Sequence, residues 1–261
     1  MWSRYVALGD SFTEGLMDDL GPDGRHIGWA DRFACALQQH NPDLLYANLA
    51  VRGRLLPQVI AEQVPAALDL RPDLVTLAAG INDTLRRSYD LHATATSLEN
   101  GVRDLRATGA DVVLFAFGDP SRKSSVMGRV RERISAANRA TKSIAAAYGC
   151  IVVDFWGCSV FDDDRCWDED RLHLSAQGHQ LAAAASLEAV GLGSDEWRTP
   201  QPPSERLGPV SRAASHATWA ARYLGPWAVR RLRGTSSGDS IEAKRPTLAR
   251  PRCEGDDIAL I

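Results

Sequence analysis

The sequence predicts a three-layer α/β/α domain on a mainly parallel five-stranded sheet, followed by a C-terminal helical extension. Two observations carry this expectation. Five short, near-continuous apolar runs recur along the first 155 residues, and helix-length segments separate them. Strands covered by helices on both faces read as unbroken apolar runs, and strictly alternating strands and helices favour parallel pairing.

The elements follow in order. Tyr5–Leu8 reads as the first strand, then a helix over 28–40, a strand at Leu44–Leu49 and a helix at Leu55–Leu70. Leu74–Ala79 is the third strand, Leu91–Ala107 a helix, Val112–Phe117 the fourth strand and Ile151–Phe155 the fifth. Between the last two, in 127–149, Val130, Ile134, Ala137, Thr141, Ile144 and Tyr148 recur at three- and four-residue spacing. Arg129, Arg131, Arg133, Arg139 and Lys142 mostly take the remaining face, which makes an amphipathic helix packed on a sheet. A last helix fits 175–190, with Ser175 as its N-cap and Gly191 ending it.

The α/β domain is expected to span 1–191. Residues 192–209 read as a linker rich in Pro, Ser and charge. Residues 210–233 regain helical spacing with Trp219, Tyr223, Leu224, Trp227 and Leu232, and 234–261 read as a disordered tail. From Arg206 to Arg233 there are six Arg and no acid, so this helix can lie on an anionic membrane surface. Packing of its aromatic face on the α/β domain is the preferred reading.

Charge is uneven. Residues 1–191 carry 19 Lys and Arg against 25 Asp and Glu, which argues against nucleic acid as a partner. The N-terminus enters a strand pattern at once, so no signal peptide is expected, and no run of about 18 apolar residues suggests a membrane span. The cysteines are Cys35, Cys150, Cys158, Cys166 and Cys253. Their odd number points to free thiols in a cytoplasmic protein, and the spacing of Cys150, Cys158 and Cys166 lacks the close pairs of zinc sites, so no metal is expected. The use of 27 Arg and 3 Lys fits a GC-rich bacterial genome.

In open parallel sheets, ligands bind beyond the carboxyl ends of the strands. Strand one ends in Gly9-Asp10-Ser11-Phe12-Thr13-Glu14-Gly15. Ser11 there is either a helix cap or an exposed nucleophile, and taken alone the cap is the commoner duty. Gly53 follows strand two and either serves a turn or offers its N–H to an oxyanion. Asn82 follows strand three and is a turn residue or an amide donor. Beyond strand five comes Asp170-Arg171-Leu172-His173. Of six histidines, only His173 directly precedes a helix with an acid three residues before it. That spacing lets a carboxylate fix the imidazole tautomer, leaving the other ring nitrogen for a nucleophile. The alternative is a solvated acidic turn, since Asp162, Asp163, Asp164, Asp168 and Glu169 crowd nearby. The phosphate-binding patterns G-x-G-x-x-G and G-x-x-x-x-G-K-[ST] do not occur.

Taken together, these blocks resemble the SGNH hydrolases, or GDSL esterase/lipase family. Residues 9–15 are similar to the family's first block, Gly53 to its second, Gly80-Ile81-Asn82-Asp83 to its third and Asp170-Arg171-Leu172-His173 to its fifth. The resemblance implies a flavodoxin-like fold, no required cofactor and a small-molecule ester as substrate. It implies a triad of Ser11, His173 and Asp170, and an oxyanion hole of the Ser11 N–H, the Gly53 N–H and the Asn82 side chain. Asp10 is expected to position the Ser11 loop. Substrate choice is expected in 16–27, 83–90, 119–127 and 157–169, with Trp29, Trp156 and Trp167 as packing residues before pocket residues. Thioesterase, lysophospholipase and carbohydrate O-deacetylase activities share the same triad chemistry, and an inactive binding module is the alternative of a different class.

Overall fold

The computed structural model describes residues 1–122, 127–200, 222 and 238–253. Its strands are β1 (Arg4–Gly9), β2 (Leu45–Asn48), β3 (Leu74–Ala78), β4 (Asp111–Ala116), β5 (Ile151–Asp154) and β6 (Arg245–Ala249). They form one sheet in the order β5-β4-β3-β1-β2-β6. The first five are parallel, with Tyr5 opposite both Tyr46 and Leu74.

Alternation along each strand divides the core into two layers. Tyr5 and Ala7 share one apolar cluster with Trp29, Phe33 and Leu37 of α2 (Gly28–His40) and Leu181 of α8 (Ala176–Ala189). Val6 and Leu8 point the other way, toward Leu98, Val102 and Leu105 of α6 (Leu91–Arg106) and Ile144 of α7 (Arg131–Tyr148). On that second face also lie α3 (Leu56–Gln58) and α4 (Val64–Leu70). Truncating one of these buried large side chains to Ala costs about 2–5 kcal/mol. Ser175 caps α8, its side chain accepting from Gly178 N at 3.3 Å.

The helix expected over 55–70 is interrupted by a π turn at Val59–Gln63. Pro65 supplies the reason, because it has no N–H for the carbonyl four residues back. Within that turn Gln63 is buried, and its amide grips the backbone of Gly9, accepting from Gly9 N at 2.8 Å and donating to Gly9 O at 2.9 Å.

Two expectations need correction. The sheet has six strands, not five, and the sixth comes from the stretch read as a disordered tail. β6 runs antiparallel to β2, pairing Tyr46 with Ala249 and Asn48 with Arg245. As an edge strand it tolerates Pro246 and shows no apolar run, which is why the pattern did not reveal it. The cysteines are not all free either. Cys35 of α2 is disulfide-bonded to Cys253, just beyond β6, with Cα atoms 5.5 Å apart. Because Cys253 reaches α2 only through the β6 pairing, its partner was invisible in sequence. Among the described residues, Cys150, Cys158 and Cys166 take no part in a disulfide. The disulfide removes the cysteine count as a basis for expecting a cytoplasmic protein. Residues 201–209 of the expected linker, the 210–233 helix apart from Arg222, and 234–237 and 254–261 of the expected tail lie outside the described residues. No helix among the described residues is long and apolar enough to cross a membrane.

Candidate active site

β1 sits at the centre of the sheet, and the chain steps to β2 on one side and β3 on the other. The crevice at the carboxyl ends of such strands is where open sheets bind ligands. Ser11 occupies that position. It opens the single turn α1 (Ser11–Glu14), and the cap is Asp10, whose side chain accepts from Phe12 N at 3.1 Å. The helix-cap reading of Ser11 therefore fails: the neighbouring aspartate does that work and the serine hydroxyl is left for other contacts.

The hydroxyl meets a histidine. Ser11 Oγ lies 2.9 Å from His173 Nε2, and His173 Nδ1 lies 2.5 Å from Asp170 Oδ2. The other carboxylate oxygen, Asp170 Oδ1, accepts the backbone N–H groups of Leu172 and His173, each at 2.9 Å. Asp170 is 7 % exposed, so it is no solvated acidic turn. Burial works to raise its pKa, but the hydrogen bonds and charge of His173 and the two backbone donors outweigh it and hold the carboxyl below its usual range. A carboxylate that stays ionised fixes the Nδ1–H tautomer and leaves Nε2 as acceptor for the Ser11 proton.

Asn82 lies in α5 (Ile81–Thr84), directly after the β3 turn. Its Nδ2 donates to Asp10 Oδ2 and to the Arg54 carbonyl, both at 3.1 Å. Both amide hydrogens are thus engaged, and donation to an oxyanion requires one to be shared or released. Gly53 follows β2 with φ of 76°, a left-handed conformation that favours glycine. Asp10 is 4 % exposed and its pKa is pushed up to about 7, chiefly by burial, with Asp83 and Glu14 adding to the rise and the Phe12 N–H and His173 opposing it.

Several residues that hold the site were missed in sequence. Gln63 pins Gly9, two residues before Ser11; its only signal was a polar side chain among apolar neighbours on a helix. Glu14 holds Arg52, accepting from Arg52 N at 2.7 Å and from its Nε at 2.9 Å. Asp18 and Arg32 form a fully buried pair at 2.8 Å, and Asp18 also accepts from Gly28 N at 2.7 Å, tying the 16–27 loop to α2. Of the tryptophans, Trp29 is a core residue, packed 5.3 Å from Phe12 and 4.9 Å from Phe115 between ring centroids. Trp167 donates to Phe161 O at 2.8 Å, and Trp156 lies under the Arg131 guanidinium at 5.3 Å.

A parallel α/β/α sheet with a serine, histidine and aspartate hydrogen-bonded in series at its carboxyl end defines a hydrolase architecture. Residues 7–181 match the model of the GDSL-like Lipase/Acylhydrolase family, and the chain belongs to that family. It is an esterase of the SGNH type. Among solved structures it is similar to LAE5, an alpha/beta hydrolase enzyme from the metagenome of Lake Arreo, Spain, with 24 % identity and a TM-score of 0.62 over 74 % of this chain and 97 % of that one. It is also similar to Axe2, an acetylxylan esterase from Geobacillus stearothermophilus, with 19 % identity and a TM-score of 0.60 over 78 % and 97 %. At these identities the likeness is one of fold. A search of curated proteins finds no match.

Proposed function

We propose that the chain hydrolyses carboxylic esters through an acyl-enzyme on Ser11. His173 Nε2 takes the hydroxyl proton as Oγ attacks the acyl carbonyl, and Asp170 stabilises the imidazolium that results. The tetrahedral oxyanion is held by the N–H groups of Ser11 and Gly53 and by Asn82, whose amide turns one hydrogen from Asp10 or Arg54 toward the new charge. His173 then protonates the departing alkoxide. In the second half-reaction it deprotonates a water, which releases the carboxylic acid and restores Ser11.

The observation that carries this reading is the hydrogen-bonded series from Ser11 Oγ through His173 to a buried Asp170. Further support comes from Axe2, of which variants at a serine, an aspartate and a histidine are described as catalytic mutants. The test is a panel of esters varying acyl length and alcohol, including acetylated xylooligosaccharides and a thioester, run on wild type and Ser11→Ala. Turnover of at least one ester that Ser11→Ala abolishes is expected. Equal turnover by the two proteins would overturn the assignment.

A further inference from the structure

We propose that Glu14, through the Arg52 N–H and guanidinium, and the C-terminal segment 238–253, against the Arg52 carbonyl, hold Arg52 from two sides and so act as positioning elements for the Gly53 oxyanion donor. This inference rests on the proposed role of Gly53.

One jaw is Glu14. Its carboxylate is buried, sits three residues after Ser11, and takes both the backbone N–H of Arg52 and its guanidinium, with Nε at 2.9 and 3.1 Å and a further bond from Nη2. Backbone and side chain of Arg52 are therefore held by one group that belongs to the nucleophile's own helical turn. Charge-assisted bonds of this kind are about twice as strong as neutral ones.

The other jaw is Gly238. A Cβ placed there would lie 2.0 Å from the Arg52 carbonyl oxygen and 3.1 Å from Val51 Cγ1, so only glycine fits against this loop. The contact falls on the peptide unit that matters. The Arg52 carbonyl and the Gly53 N–H belong to one planar group and point in opposite directions. Whatever fixes the oxygen also aims the hydrogen. The neighbouring Arg54 carbonyl accepts from Asn82, so a shift of this loop disturbs two of the three proposed donors.

The segment carrying Gly238 is itself anchored. Ile241 N donates back to Gly238 O at 3.2 Å, Lys244 Nζ donates to the His26 and Ile27 carbonyls and pairs with Asp31, and Arg245 Nε reaches Asp31 at 2.8 Å. β6 then pairs with β2, the strand that leads into the loop, and Cys253 is bonded to Cys35. The anchoring segment 238–253 itself lies beyond residues 7–181, the extent of the family match, while the residues it grips lie within it.

The test compares wild type, Gly238→Ala and Glu14→Gln in the full-length protein. Each is assayed for kcat and KM on the best ester of the panel, for the rate of labelling by a serine-directed phosphonate, and for amide hydrogen exchange over 50–54. Loss of one oxyanion donor costs about 10²–10³ in rate, and a displaced donor is expected to cost at least tenfold in kcat with KM within about threefold. Phosphonate labelling, which builds charge on the same oxygen, should slow in step, and exchange over 50–54 should quicken. Labelled protein counts the active fraction, so partial unfolding is separated from slow chemistry. If Gly238→Ala does not fold, Glu14→Gln carries the test with the same readouts. Wild-type kcat and unchanged exchange in a folded variant would overturn the clamp. Should wild type neither hydrolyse an ester nor be labelled, the esterase reading fails instead, while the exchange arm still reports whether the loop is clamped.

Discussion

Asp170→Asn separates orientation of the imidazole from the rest of the site. Asp170 Oδ2 lies 2.5 Å from His173 Nδ1, and Oδ1 accepts from the N–H groups of Leu172 and His173 at 2.9 Å each. An asparagine keeps the Oδ1 acceptor, so the turn from 170 to 173 should survive. Its other terminus becomes a donor facing Nδ1, which drives the ring proton to Nε2. The nitrogen that must receive the Ser11 proton 2.9 Å away is then already protonated. The wrong tautomer costs about 10⁴ in kcat in a triad of this design, which is roughly 5.5 kcal/mol of transition-state stabilisation. KM should change little, because Asp170 is buried behind the histidine and does not reach the substrate. The assay is steady-state hydrolysis of an activated short-chain ester, alongside thermal unfolding to confirm the fold. A folded Asp170→Asn enzyme that keeps more than about a tenth of wild-type kcat refutes the role given to Asp170.

Three further outcomes follow from burial and covalent linkage. Burial pushes Asp10 up to about 7, so the folded state holds a proton there that the unfolded chain loses near 3.8, and stability falls as pH rises through that window. Relative to wild type, Asp10→Asn should gain up to roughly 4 kcal/mol between pH 4 and pH 8 in urea unfolding, and a flat difference would contradict the buried carboxyl. His179 is fully buried, and burial lowers its pKa to about 4; its ring accepts from Trp29 N and faces Leu16 O, each at 3.2 Å. The neutral ring's contribution is complete above pH 6.5 and is lost as pH falls toward 4, by roughly 3 kcal/mol; His179→Gln should flatten that slope in the same unfolding series. Cys253→Ser opens a link spanning 218 residues and should lower stability by about 2–5 kcal/mol, read by denaturant unfolding, whereas unchanged stability on both mutation and reduction would argue that the link does not form.

The parallel core was legible because its strands are buried on both faces and so announce themselves as apolar runs. Ser11, Asn82, Asp170 and His173 were legible because chemistry-bearing residue types fell just after those runs in order. What escaped was held by other forces. β6 depends on backbone pairing and on the ion pairs of Lys244 and Arg245 with Asp31, none of which leaves a periodic apolar trace. Glu14 and Arg52 are ordinary charges in sequence and become an ion pair, with Glu14 buried and Arg52 half-buried, only when the β1 and β2 loops meet. Gln63 turns toward Gly9 through a π turn that a regular 3.6-residue period does not anticipate.

Ser11 is the proposed nucleophile on which the whole reaction depends. Incubating wild type with a serine-directed phosphonate and mapping the adduct by peptide mass spectrometry tests it directly. A single adduct on Ser11, formed in step with loss of esterase activity and missing from Ser11→Ala and His173→Ala, is the predicted result. Full loss of activity with the adduct on another residue, or hydrolysis that persists with Ser11 fully modified, would contradict it.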